Sequence, residues 1–380
     1  MKTFSKFGFI GWRGMVGSVL IDRLIATKTS AHILDAEFFS TSASTQKIPQ
    51  TLANSFATRG ILLNAYDLDA LTKFEVLVSC QGSEYSKLIL PQLITRGWKG
   101  IWIDAASAFR MDADATLLFP PINQNQIEQD LQKGRTKYIG TNCTVSLMLM
   151  AIAPLITARK ITWLTSMTYQ AASGAGANQL RELIAQMCFI GKKLQPHLDD
   201  TTMQALTLGN EVQQCYYDSA FPKEHFAVPL AGSVIPFIDK KLESGQSKEE
   251  WKAQAEANKL LGFEKNPIPI DSICVRVGVL RCHSQALTIL LDKEYPEDEL
   301  ISLFQSDSPF VKIIGNDETA SRWLLTPAHV SGSLDIYVGR IRKSTIDKKA
   351  IHCFTVGDQL LWGAAEPLRC LVHRLSTGTW

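Results

Sequence analysis

The sequence predicts an α/β protein in which a doubly wound parallel sheet is followed by a second domain. In the first third of the chain, short apolar runs alternate with helical patterns, which is typical of parallel sheets covered by helices. A later pattern rich in β-branched residues, CVRVGV (274–279), indicates a sheet element outside that first domain. The length of 380 residues suits two domains, or three.

Composition narrows the classes of function. The chain is 46% apolar and 20% charged, so it can bury sizeable cores. Its 39 Lys and Arg against 37 Asp and Glu leave no electrostatic footprint for nucleic acid or a membrane surface. Eight cysteines without a C-x-x-C pair argue against a zinc ribbon and predict no metal site.

The same features predict a cytoplasmic protein with free thiols. The apolar run in residues 1–12 is broken by glycines, and no small-residue cleavage site follows, so it does not resemble a signal peptide. No stretch reaches the roughly 18 uncharged apolar residues of a membrane span.

A glycine-rich turn opens the first helix. The apolar strand Phe7–Ile10 precedes Gly11, Gly14 and Gly17, and apolar residues follow at helical spacing. Such a turn lets the backbone approach a dinucleotide pyrophosphate, whose charge the helix N-terminus favours. The alternative is a turn that only packs the helix on the strand.

The second strand, Ala36–Phe39, ends in three hydroxyl residues (40–42) where an NAD site usually carries an acid. With Arg13 in the glycine turn, these hydroxyls favour a 2′-phosphate and therefore NADP over an ordinary polar loop. Further strands are predicted at Glu75–Ser79 and Ile101–Ile103, with a helix at Tyr85–Thr95 between them.

Cys143 is the candidate nucleophile. It follows the turn Gly140-Thr141-Asn142, whose residues are typical of a helix cap, and an apolar helix is predicted over Val145–Ile156. A thiol at a helix N-terminus is expected to have a lowered pKa, because the helix dipole stabilises the thiolate. The alternative is a buried thiol that acts as a small hydrophobe.

The candidate base for this nucleophile is His283, and Arg276 on the same segment suits a substrate carboxylate. Their separation of seven residues would put them on opposite faces of one regular strand. A shared site therefore requires a bulge or turn, for which Gly278 is the obvious place.

Three other segments carry candidate functional groups. Gln170 ends a predicted strand and precedes a second glycine-rich helix entry, at Ser173 and Gly174, which suits an anion or simple packing. A capping box from Ser247 to Glu250 starts a helix on which Glu249 and Lys252 share a face, either as a solvated ion pair or as a binding surface. Arg110 follows a strand at the same rim of the first sheet.

With these motifs in place, the chain resembles the aspartate-semialdehyde dehydrogenases of the Gram-negative bacterial type. The resemblance runs over nearly the whole chain and in family order. It rests on the blocks GFIGWRGMVGS (8–18), FFSTS (38–42), CQG (80–82), WIDAAS (102–107), NCTVSLMLM (142–150), YQAASG (169–174), VPLAGS (228–233), EEWK (249–252), RVG…LRCHSQA (276–286) and FTVGDQLLWGAAEPLR (354–369). Thr141 departs from the family's nucleophile block, where a second glycine is expected.

The resemblance implies an enzyme that reversibly reduces L-4-aspartyl phosphate to L-aspartate 4-semialdehyde with NADPH through a cysteine thioester. This reaction serves the biosynthesis of lysine and diaminopimelate, threonine and methionine. It implies phosphate and these small molecules as partners, and a homodimer. The near alternatives are another acyl-phosphate reductase, such as N-acetyl-glutamyl-phosphate reductase, and a non-catalytic NADP-binding paralogue. A cysteine hydrolase built on Cys143 and His283 would leave the glycine turn unexplained.

The resemblance also implies roles for individual residues. Cys143 would be the nucleophile, His283 the acid/base, and Gln170 would position the intermediate. Substrate and phosphate would be bound by Arg276, Glu249, Arg110, Asn142 and Lys252. The cofactor would be bound by Gly11, Trp12, Arg13, Gly14, Met15, Val16, Ser40, Thr41, Ser42, Gln81, Ser173, Gly174 and Gln359.

The implied domains are a Rossmann-like NADP-binding domain over residues 1–141 and an α+β catalytic and dimerisation domain over residues 142–356. A C-terminal helix, predicted over residues 357–375, would fold back beside the cofactor, so residues 357–380 would complete the first domain.

Overall fold

The structure, a computed structural model, describes residues 3–198 and 200–380. The first two residues of the predicted N-terminal domain and residue 199 lie outside the described residues. The described chain forms two seven-stranded sheets with helices packed against them. This architecture confirms the predicted α/β class.

The first sheet is parallel throughout. Its strands are β1 (Lys6–Ile10), β2 (Asp35–Ser40), β3 (Leu63–Asn64), β4 (Val76–Ser79), β5 (Ile101–Asp104), β6 (Ala115–Leu118) and β7 (Lys137–Gly140). They lie in the order β3-β2-β1-β4-β5-β7-β6. The helices of this half are α1 (Met15–Ala26), α2 (Gln50–Ser55), α3 (Leu68–Leu71), α4 (Ser83–Thr95) and α5 (Pro120–Gln132).

The central strands of this sheet are buried on both faces, which explains their continuous apolar runs. The four predicted strands and the helix predicted between the last two of them are found, with ends shifted by two residues or fewer. Because all these strands run parallel, Ile10, Ser79, Asp104 and Gly140 end at one edge of the sheet. Ligands of such folds bind at this edge.

Two short helices lead from the first sheet to the second: α6 (Cys143–Ala151) and α7 (Ala153–Thr157). The single helix predicted over Val145–Ile156 is therefore wrong in two respects. It begins earlier, at Cys143, and it is interrupted at Ile152, whose φ of −114° is not helical. Pro154 begins a new helix there, because proline fits the first turn of a helix and not its interior.

The second sheet is mixed, in the order β12-β13-β14-β11-β8-β10-β9. Its strands are β8 (Ile161–Gln170), β9 (Val234–Ile235), β10 (Ile270–Val277), β11 (His283–Leu291), β12 (Val311–Ile313), β13 (Ile336–Lys343) and β14 (Ala350–Gly357). Its helices are α8 (Ala177–Leu198), α9 (Ala205–Tyr217), α10 (Lys248–Leu261), α11 (Glu318–Leu324) and α12 (Pro327–Val330). Short 3-10 helices lie at Thr29–His32, Ala172–Gly174, Glu297–Glu299 and Ser302–Phe304.

The two faces of the second sheet differ. On β8 and β10, alternate residues such as Leu164, Gln170 and Arg276 are buried beneath α6 and α10, as the pleat requires. The opposite face exposes large apolar side chains, with Trp163 36%, Tyr169 40% and Ile273 52% exposed. One face therefore builds the interior and the other is left open in this single chain.

The C-terminal segment returns to the first sheet. The helix predicted over residues 357–375 begins later than expected, because Ala350–Gly357 completes β14. A π-helix at Leu361–Ala365 then leads into α13 (Glu366–Thr377), which packs against α1. Leu368 and Leu371 join the core formed by β1 and α1. No helix within the described ranges has the length and apolar character that a bilayer crossing requires.

Candidate active site

Cys143 is the first residue of α6, which confirms its predicted position at a helix N-terminus. The Asn142 side chain caps this helix, since its Oδ1 accepts hydrogen bonds from the backbone N–H groups of Thr144 at 2.9 Å and Val145 at 3.3 Å. Nearly every residue of α6 is buried, so the helix is held firmly in the interior. The cap and the packing together fix the position of the thiol.

His283 lies beside this thiol, with its Nε2 atom 3.3 Å from Cys143 Sγ. It is the first residue of β11 and follows Cys282, whose positive φ of 77° is rare for a residue with a side chain. The backbone N–H of Ala171 donates to His283 Nδ1 at 3.0 Å. In the neutral ring the proton is therefore on Nε2, which faces the sulfur as a donor.

The protonation of this pair differs from the sequence-based expectation. Burial, followed by the charge of Glu249, raises the pKa of the Cys143 thiol to about 12, although nearby cations oppose the shift. Burial and Arg276 lower the pKa of His283 to about 3. The expected lowering of the Cys143 pKa is wrong, because desolvation of the thiolate outweighs the helix N-terminus. At neutral pH both groups are therefore uncharged.

Gln170, Arg276 and His283 lie on one face of the second sheet. The segment that contains Arg276 and His283 turns at Gly278, directly after β10 ends at Val277, so the predicted bulge or turn is confirmed as a turn. It forms two strands, β10 and β11, which flank β8 on either side. Arg276 is paired with Gln170 in the β8–β10 register. Arg276 Nη1 donates to the Ala171 carbonyl at 2.7 Å. The tertiary structure thus removes the opposite-face problem.

Glu249 accepts hydrogen bonds from three neighbours. Its Oε1 accepts from Asn142 Nδ2 at 3.0 Å and Gln170 Nε2 at 3.3 Å, and its Oε2 accepts from Lys252 Nζ at 2.9 Å. Burial by itself raises the pKa of Glu249. The effects of Lys252, Asn142 and Arg276 outweigh burial and lower the pKa to about 2. Glu249 is therefore a buried carboxylate anion beside the nucleophile helix, and the solvated ion pair is excluded.

The local reason for this placement is the predicted capping box of α10. Ser247 Oγ accepts from the Glu250 N–H, and the Glu250 carboxylate accepts from the Ser247 N–H. This start sets the rotation of α10, so that residues three and four apart face the site. Lys252 also donates to Asp239 Oδ2 at 3.1 Å.

Arg110 is buried at the junction of the two sheets. Its Nε donates to the Gly140 carbonyl at 2.6 Å and its Nη2 to the Ala105 carbonyl at 3.3 Å. Its Nη1 forms an ion pair with Glu256 at 3.2 Å. The side chain approaches the nucleophile helix closely enough for its charge to lower the pKa of Cys143.

The glycine turn opens onto a second pocket. Gly11 has a φ of +72°, and a Cβ there would lie 2.5 Å from the Cys80 carbonyl carbon. A Cβ on Gly17 would lie 2.2 Å from the Gly11 carbonyl oxygen, so α1 packs directly on the turn. The cavity beside them has a volume of about 330 Å³. It is lined by Gly11, Trp12, Arg13, Gly14, Phe39, Ser40, Thr41, Cys80 and Gln81.

Polar side chains of this pocket contact one another. Arg13 Nη2 donates to the hydroxyls of Ser40 at 2.8 Å and Ser42 at 3.3 Å. Gln81 Nε2 lies 3.5 Å from Thr41 Oγ1. No side chain caps α1, so the N–H groups of its first turn, which includes Met15 and Val16, are available to an anion. The predicted cofactor residues of the first domain thus lie together.

The remaining predicted cofactor residues, Ser173, Gly174 and Gln359, lie close to His283. Gln359 Nε2 donates to Ser173 Oγ, and its Oε1 accepts from the Cys282 N–H at 2.8 Å. A Cβ on Gly174 would lie 2.9 Å from His283 Cε1. These residues therefore pack against one another and against the start of β11.

Sequence reasoning missed four positions. Ala171 acts through its backbone N–H, and Asp239 contacts Lys252 from a loop, so no pattern marks either residue. Gly363 in the π-helix lies against Cys143, since a Cβ there would be 2.8 Å from Cys143 Cβ. Glu256 was detectable, because it follows Lys252 by four residues on the same helix face.

Within the described ranges, no group of three or more His, Cys, Asp or Glu side chains is arranged to hold a metal ion. The described cysteines are all free thiols.

Comparisons with known proteins address both halves of the chain. Residues 6–130 match the family described as semialdehyde dehydrogenase, NAD binding domain. Residues 152–362 match the family described as semialdehyde dehydrogenase, dimerisation domain. A nicotinamide dinucleotide is therefore the cofactor class of the first domain.

Solved structures agree with these matches. Aspartate semialdehyde dehydrogenase from Francisella tularensis is 44% identical, with a TM-score of 0.91 over 97% of this chain and 98% of that chain. Aspartate semialdehyde dehydrogenase II from Vibrio cholerae, complexed with ASA, is 21% identical, with a TM-score of 0.74 over 99% and 98%. Aspartate semialdehyde dehydrogenase with NADP from Candida albicans is 15% identical, with a TM-score of 0.65 over 98% and 99%. The last two share the fold. From the two domain matches and the 44% identity over almost its whole length, the chain belongs to the semialdehyde dehydrogenase family.

Proposed function

We propose that this enzyme catalyses the NADP-dependent, reversible reductive dephosphorylation of L-4-aspartyl phosphate to L-aspartate 4-semialdehyde. The observation that supports this function most strongly is the contact between Cys143 and His283 beside a buried carboxylate, Glu249, and a buried guanidinium, Arg276. A free amino acid presents an ammonium and a carboxylate, which these two charges complement. The 44% identical relative bears the name of this activity.

In this proposal the Cys143 thiol loses its proton to solvent, and the resulting thiolate attacks the acyl carbon of the aspartyl phosphate. The carbon–oxygen bond to phosphate breaks, and inorganic phosphate leaves as a thioester forms on the sulfur. A nicotinamide dinucleotide held by the residues of the glycine turn would supply the hydride that reduces the thioester carbon, or would accept it in reverse. The resulting tetrahedral species then expels the thiolate and releases the aldehyde. Gln170, which is hydrogen-bonded to Glu249, holds this intermediate in position.

His283 acts on the oxygen of that tetrahedral species. Its Nε2–H points into the site, so the ring donates a hydrogen bond to the oxygen as negative charge develops. A base role toward the Cys143 thiol would require the ring proton on Nδ1 instead, with Nε2 free to accept, and the donating Ala171 N–H opposes that tautomer. This geometry therefore supports hydrogen-bond donation by His283 rather than the base part of the predicted acid/base role.

Binding of the other groups follows from charge. Arg276 pairs with the substrate α-carboxylate, and Glu249 with its ammonium group. Arg110, Asn142 and Lys252 surround the start of α6, where a phosphate dianion is favoured by two cations and the helix N-terminus.

We propose that the cofactor is NADP and that it binds in the pocket beside the glycine turn. The backbone at residues 11–16 holds the pyrophosphate, and Arg13 with the hydroxyls of Ser40 and Ser42 holds the 2′-phosphate. We propose residues 1–141 with 357–380 as the cofactor domain and residues 142–356 as the catalytic domain. In support, α13 shares a core with α1.

A homodimer completes the proposal. The exposed apolar face of the second sheet, with Trp163, Tyr169 and Ile273, suits a second copy of the chain, since patches of this kind mark interfaces. The test is the mass of the protein in solution by light scattering. Wild type is expected as a dimer and Ile273→Arg as a monomer, and a wild-type monomer would contradict the proposal.

The activity is tested by following NADPH absorbance with aspartate semialdehyde, phosphate and NADP. NADPH formation that depends on phosphate is expected, and folded protein without it would overturn the proposal. Competition between aspartate semialdehyde and N-acetyl-glutamate semialdehyde in this assay distinguishes the proposed enzyme from an N-acetyl-glutamyl-phosphate reductase. The Glu249 anion disfavours an N-acetylated substrate, which has no ammonium group.

A further inference from the structure

Glu256 is a buried carboxylate that the proposed chemistry does not use. It lies on the same face of α10 as Glu249 and Lys252, and its side chain is 2% exposed. Its Oε1 accepts from Arg110 Nη1 at 3.2 Å, and its Oε2 accepts from the Asn142 N–H at 2.8 Å. A single carboxylate thus contacts a cation of the proposed phosphate subsite and the residue that precedes the nucleophile.

The orientation of Arg110 does not depend on this carboxylate. Its Nε and Nη2 atoms donate to the carbonyls of Gly140 and Ala105. These two contacts hold the plane of the guanidinium even without Glu256. The effect of Glu256 on Arg110 is therefore mainly one of charge, whereas its effect on Asn142 is one of position.

We propose that Glu256 is a positioning residue that attenuates the phosphate subsite and anchors the start of α6. When the subsite is empty, Glu256 neutralises a guanidinium whose burial would otherwise be costly. When phosphate is bound, the same carboxylate repels it across a poorly screened interior. This inference rests on the proposed function, because a reversible reaction requires a phosphate that both binds and leaves.

Asp239 provides a matched comparison. It contacts the other cation of the subsite, since Lys252 Nζ lies 3.1 Å from its Oδ2. Its side chain is 32% exposed, so solvent screens its charge far more than that of Glu256. Removal of its charge should therefore change phosphate affinity less.

The experiment compares Glu256→Gln, Glu256→Asp and Asp239→Asn. Glu256→Gln keeps an oxygen for the Asn142 N–H and removes the charge. We expect its KM for phosphate to fall about tenfold, with kcat and the KM for the semialdehyde within about threefold. Glu256→Asp moves the charge away from Arg110 and Asn142, so the phosphate KM should fall less and kcat should fall more. Asp239→Asn should change the phosphate KM by less than about threefold.

If the role of Glu256 were purely structural, its substitution would lower the melting temperature, and the phosphate KM would not fall while kcat stayed nearly unchanged. A phosphate KM that is unchanged or raised in both Glu256 variants overturns the inference. If Glu256→Gln does not fold, Glu256→Asp decides alone. Calorimetric titration of inorganic phosphate into each variant in a Cys143→Ser background measures affinity without turnover. A wild type without phosphate-dependent activity overturns the proposed function, while this titration still decides the role of Glu256.

Discussion

The two binding regions of this protein differ in how firmly their side chains are held. Around Cys143, the charged groups Glu249, Arg276 and Lys252 are buried, and each has protein partners. In the pocket beside the glycine turn, Arg13 and Ser42 are exposed and contact each other at 3.3 Å.

We infer from this difference that the region around Cys143 carries the chemistry, whereas the pocket beside the glycine turn selects between similar ligands. Buried charges with fixed partners do not rearrange at the moment of reaction, so they suit the stabilisation of developing charge. Exposed side chains are screened by water, so each contributes modestly and mainly discriminates between similar ligands. Substitutions in the first region should change rates by orders of magnitude, and those in the second should change preference by a smaller factor.

The largest effect is expected from Cys143→Ser. Serine lacks a nucleophile of comparable strength, so activity should fall at least about 10³-fold. Since Cys143 does not line the pocket beside the glycine turn, NADP affinity measured by fluorescence titration should stay within about threefold. Surviving activity would show that Cys143 is not the nucleophile.

The next largest effect is expected from pH, which should change kcat/KM. Because burial raises the pKa of Cys143 to about 12, the thiolate fraction of the free enzyme grows as pH rises. Because the pKa of His283 is lowered to about 3, its ring stays neutral over the same range. We expect kcat/KM to increase up to about tenfold per pH unit between pH 6 and 9. A plateau above an apparent pKa near 6.5 would contradict this protonation scheme.

Arg276→Lys should have an intermediate effect, mainly on substrate binding. A lysine ammonium cannot reproduce a bidentate contact with a carboxylate, so the KM for the semialdehyde should rise about tenfold or more. Arg281→Lys is the matched control, because Arg281 lies in the same segment but pairs with Asp358. An unchanged KM in Arg276→Lys would refute the carboxylate role.

The smallest effect is expected from Arg13→Ala in the exposed pocket. Loss of one screened cation should reduce the preference for NADP over NAD by about tenfold, with kcat nearly unchanged. Arg59→Ala is the control, since Arg59 is also exposed but pairs with Glu37 outside the pocket. Equal preference in wild type and Arg13→Ala would remove the support for a 2′-phosphate site there.

Local signals in the sequence predicted several elements correctly. The cap at Asn142 and the capping box at Ser247 each involve residues within a few positions, so their hydrogen bonds follow from spacing. The glycine turn and the buried strands of the first sheet were predicted for the same reason. The boundary at Ile152 and the late start of the C-terminal helix were missed, because burial and strand pairing outweigh helical periodicity there.

The sequence by itself determined the order of strands and helices, the fold class and the residues able to carry chemistry, since these depend on neighbours along the chain. Only the tertiary structure decided how they meet. Strand β8 passes between β10 and β11 and brings Gln170, Arg276 and His283 onto one face. Burial reversed the expected pKa of Cys143, and Glu256 reached Arg110 across 146 positions of sequence. Desolvation and long-range contacts depend on the packed interior, which no local pattern encodes.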